Sequence, residues 1–423
     1  MRRVALASFV GTAIEYYDFS IYGAAAALVF PHVFFPNLGP TIATVVSFAT
    51  FAVAFLSRPL GAAFFGHFGD RIGRKKTLVA TLLIMGLSTV AVGLVPSTAS
   101  IGIAAPMMLL TLRLLQGFAV GGEWAGSALL SAEYAPSSKR GMYGMFTQLG
   151  VGAGGVLACV AFLSVNFTIG EKSPTFLAWG WRLPFLISAV LVVVALYVRL
   201  NIAETPVFVA EKQHNITPKA PLRELLSHQL RQVILATAVM FAPFTLGFMA
   251  GTYLMGYANT HLGYPRNLVL GVGVLGGLAM MAFTAVSASL CDTLGRRRII
   301  RFGFVLALPW SFAVLPLLNS RSAVLLAVGI TGTYAICGVS YGPLASFIPE
   351  IFATRYRYTG AGLVFNLGGI VGGAVPPLIS GALLTAFGSW AIGAMMAILV
   401  LISLTAACLL PESQDWTPVT PSG

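Results

Sequence analysis

"GHFGDRIGRKK", residues 66–76, and "ASLCDTLGRRR", residues 288–298, each follow a long apolar run and carry the same marks in the same order. Asp70, Gly73, Arg74 and Lys75 precede Asp292, Gly295, Arg296 and Arg297 by a constant 222 residues. A second set repeats the relation at an offset of 217, Glu133 with Arg140 matching Glu350 with Arg357. Charged and glycine positions held at such a distance inside greasy sequence mark a duplicated unit of six apolar segments. One copy is worn: Ala288 stands where the first has Gly66, and Thr293 where it has Arg71.

Around these marks the 423-residue chain is 57% hydrophobic and only 9% charged, too apolar for a soluble surface. A bilayer core takes about 20 apolar residues per helix, and twelve such runs are expected at 6–34, 41–65, 76–97, 101–131, 141–166, 182–200, 231–257, 266–290, 299–319, 322–349, 360–385 and 389–410. The first is too long for a signal-peptide core and contains acids, so it reads as a permanent helix. The longest polar stretch, 202–230, divides the chain into an N-terminal bundle (1–201) and a C-terminal bundle (231–423). Two pseudo-symmetric six-helix bundles around a central cavity are the architecture of a carrier that opens to either side in turn.

With the N-terminus on the cytoplasmic side, inner segments hold nineteen of the 25 basic residues. Outer segments hold Lys172, Arg182, Arg266 and Arg321, and Arg58 and Arg113 fall in or at the ends of helices. The positive-inside rule therefore places both termini in the cytoplasm of a cell (plasma or inner) membrane. The net charge of +12 is spread along one membrane face as a topology signal, which argues against a nucleic-acid partner. Cys159, Cys291, Cys337 and Cys408 show no paired spacing, and the five histidines lie in or near loops. No catalytic, metal-binding or nucleotide-binding motif occurs, so no cofactor, metal or enzymatic activity is expected. "GVGAGG" (150–155) lies in an apolar helix with no strand before it and reads as close helix packing. Asn166 opens a glycosylation sequon on an expected outer loop.

Charge inside the spans is where function is expected. In "GTAIEYYDFSIYG" (11–23), Glu15 and Asp18 share a helix face that Tyr22 extends by a turn. A charge near the bilayer centre costs about 2.5 to 3.5 kcal/mol, so these acids need partners, protons or water. Span 4 offers Arg113, with Gln116 one turn on, and both of these with Tyr22 are candidate substrate contacts. Two readings stand: a static buried ion pair of Asp18 with Arg113, or a carboxylate whose proton affinity switches as a neighbouring cavity wets and dries. Arg113 can also grip a substrate carboxylate. Glu15 joins the proton site or faces the cytoplasmic mouth. Glu123 pairs with a base near the inner gate or takes part in transport. Arg58 reads as structural, near the inner end of span 2. Arg182 reads as an outer anchor or gate, with Trp179 and Trp181 in an interfacial aromatic belt. Tyr253, Tyr341 and Asn366 are cavity or packing residues of the second half.

Several stretches resemble the metabolite:proton symporters of the major facilitator superfamily, which include carriers of shikimate, citrate, α-ketoglutarate and proline or betaine. They are "GTAIEYYDF" (11–19), "SRPLGAAFFGHFGDRIGRKK" (57–76), "LRLLQGFAVGGEWAGS" (112–127), "WGWRLPF" (179–185), "ETPVF" (204–208) and "YGPLASFIPEIFATRYRYTGAG" (341–362). The resemblance implies an all-α membrane protein of twelve helices. It matches Asp18 to a proton site on the first helix and Arg113 to its partner on the fourth. It also supports an inner latch built from Asp70, Arg71, Gly73 and Arg74 and repeated at Asp292 and Arg296. Glu133 with Arg140 and Glu350 with Arg357 add inner-face charge networks. The implied function is proton-coupled symport of a small polar metabolite, an organic acid anion or zwitterion. A proton-driven exporter is the alternative within the fold, and a membrane sensor or membrane-embedded enzyme the alternative outside it. The partners expected are the substrate, protons and the lipid bilayer, with a monomer as the default state.

Overall fold

The computed structural model describes residues 2–136, 139–170, 173–201, 221–353 and 356–411, with the side chains of Asp70, Arg71, Arg74 and Glu133 outside the description. Among the described residues there are helices and turns and no strand. The chain crosses the bundle twelve times. The first six spans are Arg2–Leu28, Pro40–Ile72, Arg74–Leu94, the broken pair Ala104–Val120 and Glu123–Tyr134, Arg140–Ile169, and Leu183–Leu200. The other six are Leu230–Thr260, Arg266–Leu294, Arg296–Asn319, Ala323–Glu350, Arg357–Phe387 and Ser389–Leu409. Eleven of these are apolar and long enough to span a bilayer. The first carries Glu15 and Asp18 along its length, and its 27 residues rise about 40 Å. The outer surface is dressed for lipid, with Leu60, Leu87, Val193 and Val324 each more than 60% exposed.

The two repeat loops end their helices in the same way. Gly73 (φ 119°) and Gly295 (φ 92°) take a backbone conformation closed to other residues, which stops one span and lets the next restart at Arg74 or Arg296. Span 2 runs to Ile72, seven residues beyond its expected end, so Arg58 sits well inside the helix. Residues 202–220 of the expected linker lie outside the described residues. The last part of that linker is a helix, Pro221–His228, opened by proline and anchored by the buried Leu225 against spans 2 and 11.

Span 5 joins the two sets of six, packing against span 1 on one side and span 8 on the other. The glycine run makes this possible. A Cβ at Gly154 would lie 2.5 Å from the Ala13 carbonyl of span 1, and one at Gly152 would lie 2.8 Å from the Gly277 carbonyl of span 8. Side chains there would force the backbones apart.

At the face holding the 72–74, 139–140, 200 and 295 turns, called here the basic face, the two sets of six are tied together. The Asp292 carboxylate accepts from the Gly141 and Met142 N–H groups, both at 2.9 Å. Tyr358 donates to the Gly122 carbonyl, and Asn366 Nδ2 donates to that of Gly121 at 2.9 Å. Trp124 stacks on Phe365 at 4.1 Å between centroids. On the opposite face, Asn166 Nδ2 donates to Asn267 Oδ1 at 3.2 Å. Asn166 is buried in that contact rather than displayed on a loop.

Within the first six spans, Gly117 lets span 4 lie directly on span 2: a Cβ there would meet the Ala54 carbonyl at 2.1 Å and Ser57 Oγ at 2.2 Å. Gly117→Leu is expected to destabilise the detergent-solubilised protein by about 1–3 kcal/mol or more. Gly271→Ala, where nothing lies within 4 Å of the added carbon, is expected to leave the melting temperature in place. A thermal melt of the two variants checks both.

Candidate functional site

Among the described side chains, three acids and three arginines are buried inside the first six spans: Glu15, Asp18 and Glu123, against Arg58, Arg113 and Arg199. They form three local arrangements rather than one cluster.

Asp18 is held by hydroxyls. Thr89 Oγ1 donates to its Oδ2 at 2.6 Å, and Ser188 Oγ to its Oδ1 at 2.9 Å. Gln116 Nε2 donates to Thr89 Oγ1 at 2.6 Å, and Arg113 Nη1 donates to Gln116 Oε1 at 3.1 Å. The chain Arg113, Gln116, Thr89, Asp18, Ser188 thus draws on spans 1, 3, 4 and 6. The direct ion pair expected between Asp18 and Arg113 does not form, because Gln116 and Thr89 stand between them. The Arg113 guanidinium instead lies over Tyr22 (4.0 Å) and Phe19 (4.3 Å), where the ring faces attract the cation. Tyr22 itself donates to Thr50 Oγ1 at 2.9 Å.

Glu15 faces Arg58, Nη2 to Oε1, at 3.9 Å. Neither Glu15 oxygen accepts a hydrogen bond, and Arg58 Nε and Nη1 donate none. Arg58 is fully buried over Phe19 (4.1 Å) and Phe55 (4.5 Å), a correction to its assignment near the inner end of span 2 that follows from the longer helix. Both deep arginines therefore rest on the ring of Phe19. Glu123 pairs with Arg199, whose Nη1 also donates to the Leu78 carbonyl at 2.6 Å. Arg199, counted from sequence as an inner-face charge, is buried.

Between the two sets of six lies a cavity of about 70 Å³, with room for a few waters. Its wall includes Tyr16, Phe19 and Phe51 from the first six spans and Phe244, Phe248 and Tyr341 from the last six. Of the substrate candidates named from sequence, Tyr341 lines it. Arg113, Gln116 and Tyr22 are set back behind the Phe19 and Phe51 rings. Tyr253 turns to the Ser380 carbonyl of span 11 at 3.4 Å and stacks on Tyr257. Asn366 belongs to the closed seam that runs from beside the cavity toward the basic face, at the depth of Gly121 and Arg58. The Tyr16 and Tyr341 hydroxyls meet across the cavity edge at 3.3 Å. Gln148 donates to the Tyr341 carbonyl at 2.9 Å and accepts from Trp124 at 3.1 Å.

At the basic face, Arg296 stands 3.7 Å from Asp292 and also pairs with Glu350, so Glu350 is served by the repeat loop after span 8. Arg357 Nε donates to the Phe352 carbonyl at 3.1 Å. The latch expected of Asp70, Arg71 and Arg74, and the network expected of Glu133 with Arg140, involve side chains outside the described residues. At the opposite face, Arg182 Nη1 donates to the Gly93 and Val95 carbonyls at the end of span 3. Trp179 is half exposed, as a belt residue is, but Trp181 is fully buried among Phe30, Phe34 and Phe185, a correction to its place in the belt. Sequence reasoning missed Thr89, Ser188 and Phe19, since a small hydroxyl or a phenylalanine in an apolar helix is not distinctive.

A family model described as the Major Facilitator Superfamily matches residues 8–376. The inner membrane metabolite transport protein YhjE of Escherichia coli (strain K12) is 42% identical over 417 residues, covering 97% of this chain and 94% of that protein. The shikimate transporter of the same organism is 38% identical over 98% of this chain and 95% of its own length. Its proline/betaine transporter is 35% identical over 89% of this chain and 77% of its own. The solved proton:xylose symporter XylE, bound to 6-bromo-6-deoxy-D-glucose, shares the fold with a TM-score of 0.76 at 18% identity, over 98% of this chain and 96% of that one. The chain therefore belongs to the Major Facilitator Superfamily: it is a multi-pass membrane transporter and not an enzyme.

Proposed function

We propose that this protein is a secondary active transporter that carries a small organic acid anion or zwitterion inward together with protons. The observation that carries this reading is the balanced set of three acids and three arginines buried in the first six spans, next to a cavity shared with the last six. Buried charge of this kind is expensive in a bilayer and marks ion or substrate pathways. Relatives whose names specify metabolites, shikimate and proline or betaine support a small polar cargo.

In this reading the bundles 1–201 and 231–423 rock about the cavity, joined by the 202–230 linker. The basic face is cytoplasmic, both termini lie there, and the membrane is the inner or plasma membrane. The seam made by Asp292, Tyr358, Asn366 and the Trp124–Phe365 stack then closes the path to the cytoplasm. Glu15, Asp18 and Arg113 supply the coupling charges. A substrate carboxylate reaches Arg113 once Phe19 and Phe51 move aside.

Three outcomes test this. Weakly buffered proteoliposomes, given in turn shikimate-like, mono-, di- and tricarboxylate and betaine compounds, are expected to alkalinise the outside with one compound class. A labelled compound that accumulates by net uptake with no proton movement contradicts the coupling. Arg113→Lys keeps the charge but loses the fork that binds Gln116 while lying on two rings. A lysine also forfeits one of the two charge-assisted hydrogen bonds the fork would make to the substrate carboxylate, worth about 1.5–3 kcal/mol, so KM is expected to rise roughly ten- to hundredfold, measured by initial uptake. Asp292→Asn removes the charge that caps the start of span 5. Turnover is expected to fall with little change in binding affinity, read by comparing transport rate with equilibrium binding.

A further inference from the structure

Glu15 and Asp18 lie three residues apart on one helix, but the protein treats them differently. Both oxygens of Asp18 are taken by hydroxyl donors from spans 3 and 6. Glu15 is fully buried, accepts no hydrogen bond, and has its counter-charge at 3.9 Å, beyond hydrogen-bond reach. Within the coupling set both oxygens of Asp18 are thus engaged, whereas Glu15 is a buried acid left open.

Its neighbour in the chain, Tyr16, stands at the wall of the cavity. Tyr16 and Tyr341 both line it, their hydroxyls touch at 3.3 Å, and both hydroxyls lie within electrostatic reach of Glu15. One belongs to span 1 and the other to span 10, so the contact exists only while the two sets of six are together here. Gln148 and Trp124 hold the Tyr341 backbone in that position.

We propose that Glu15, rather than Asp18, receives the driving proton, and that the Tyr16–Tyr341 hydroxyl pair is the gate through which it passes from the cavity. This rests on the carrier reading above. The step is a simple transfer: a proton from cavity water converts the Glu15 carboxylate to the neutral acid, and Arg58 is left without its counter-charge. Arg58 lies on Phe19, a wall of the cavity, so the released positive charge is one ring away from an arriving carboxylate. The groups facing Glu15 are Arg58 from span 2, Glu123 from span 4, Arg199 from span 6, Asp18 and Tyr16 on its own helix, and Tyr341 from span 10. Proton and anion thus enter as a pair that restores neutrality around Arg58.

The test is infrared difference spectroscopy of the full-length protein in lipid, following the band of a neutral carboxyl group as the pH is stepped from alkaline to acid. The band is expected in wild type and in Asp18→Asn, and is expected to be lost in Glu15→Gln. Its survival in Glu15→Gln overturns the assignment. Glu15→Asp keeps a carboxyl in a slightly different place and is expected to shift the band; an unshifted band overturns it too. In Tyr16→Phe and Tyr341→Phe the band is expected to persist but to respond more slowly to a pH jump, and an unchanged response removes the gate. No substrate is needed for these readings, so their failure leaves the carrier reading standing. Wild-type proteoliposomes that transport none of the compounds named above would strike the carrier reading and leave the band assignment in place.

Discussion

The constraint that organises this protein is the cost of placing charge where no bulk water reaches it. Three acids and three arginines within one six-helix set cancel in sum, but each had to be accommodated separately. Asp18 receives hydroxyls, Glu123 receives Arg199 directly, and Glu15 receives only a distant Arg58. The arginines are in turn supported by rings, since a guanidinium is weakly hydrated and stacks well on aromatic faces. Phe19, under both Arg58 and Arg113, ties the two arrangements together and separates them from the cavity.

The last six spans answer with shape rather than charge. Among the described residues their buried charges are Arg266, Glu350 and Arg357, which sit at or near span ends. Near the cavity they offer Phe244, Phe248, Tyr334, Tyr341 and glycines. Spans 7 and 11 each contain a π-helical stretch, Met249–Leu254 and Gly369–Ala374, a form that occurs mostly as local bulges near functional sites. Away from the span ends, the described buried charges belong to the first six spans, and the last six face the cavity with an aromatic and glycine-rich wall.

Much of this was legible in the sequence because bilayer crossing imposes a coarse signal. The twelve apolar runs, the duplicated loops with Gly73 and Gly295, and the isolated acids of span 1 stand out against a uniform background. Details set by three-dimensional convergence did not. Arg58 was misplaced because the apolar run fades several residues before the helix ends at Ile72. Arg199 read as a topology charge because its partner, Glu123, lies 76 residues away. Thr89 and Ser188 were invisible because small hydroxyls are common in membrane helices, where they usually bond their own backbone; only the fold brings both to Asp18. The paired tryptophans of "WGWRLPF" look alike in sequence, yet Trp179 is exposed and Trp181 fills the core, since the short helical turn at Gly180–Arg182 points them apart.

The π-helical turn of span 7 has a mechanical consequence. Such a turn holds one residue more than the α-turn that would replace it, so span 7 carries a residue of slack at cavity depth. Tightening that turn to α-helix rotates everything beyond it by about 100°, the angle one residue subtends. Tyr253, now against Ser380 of span 11, would be swung to a new face while the part of span 7 before Met249 stayed still. A change of that turn would thus re-index one end of the helix like a one-notch clutch, without bending the other.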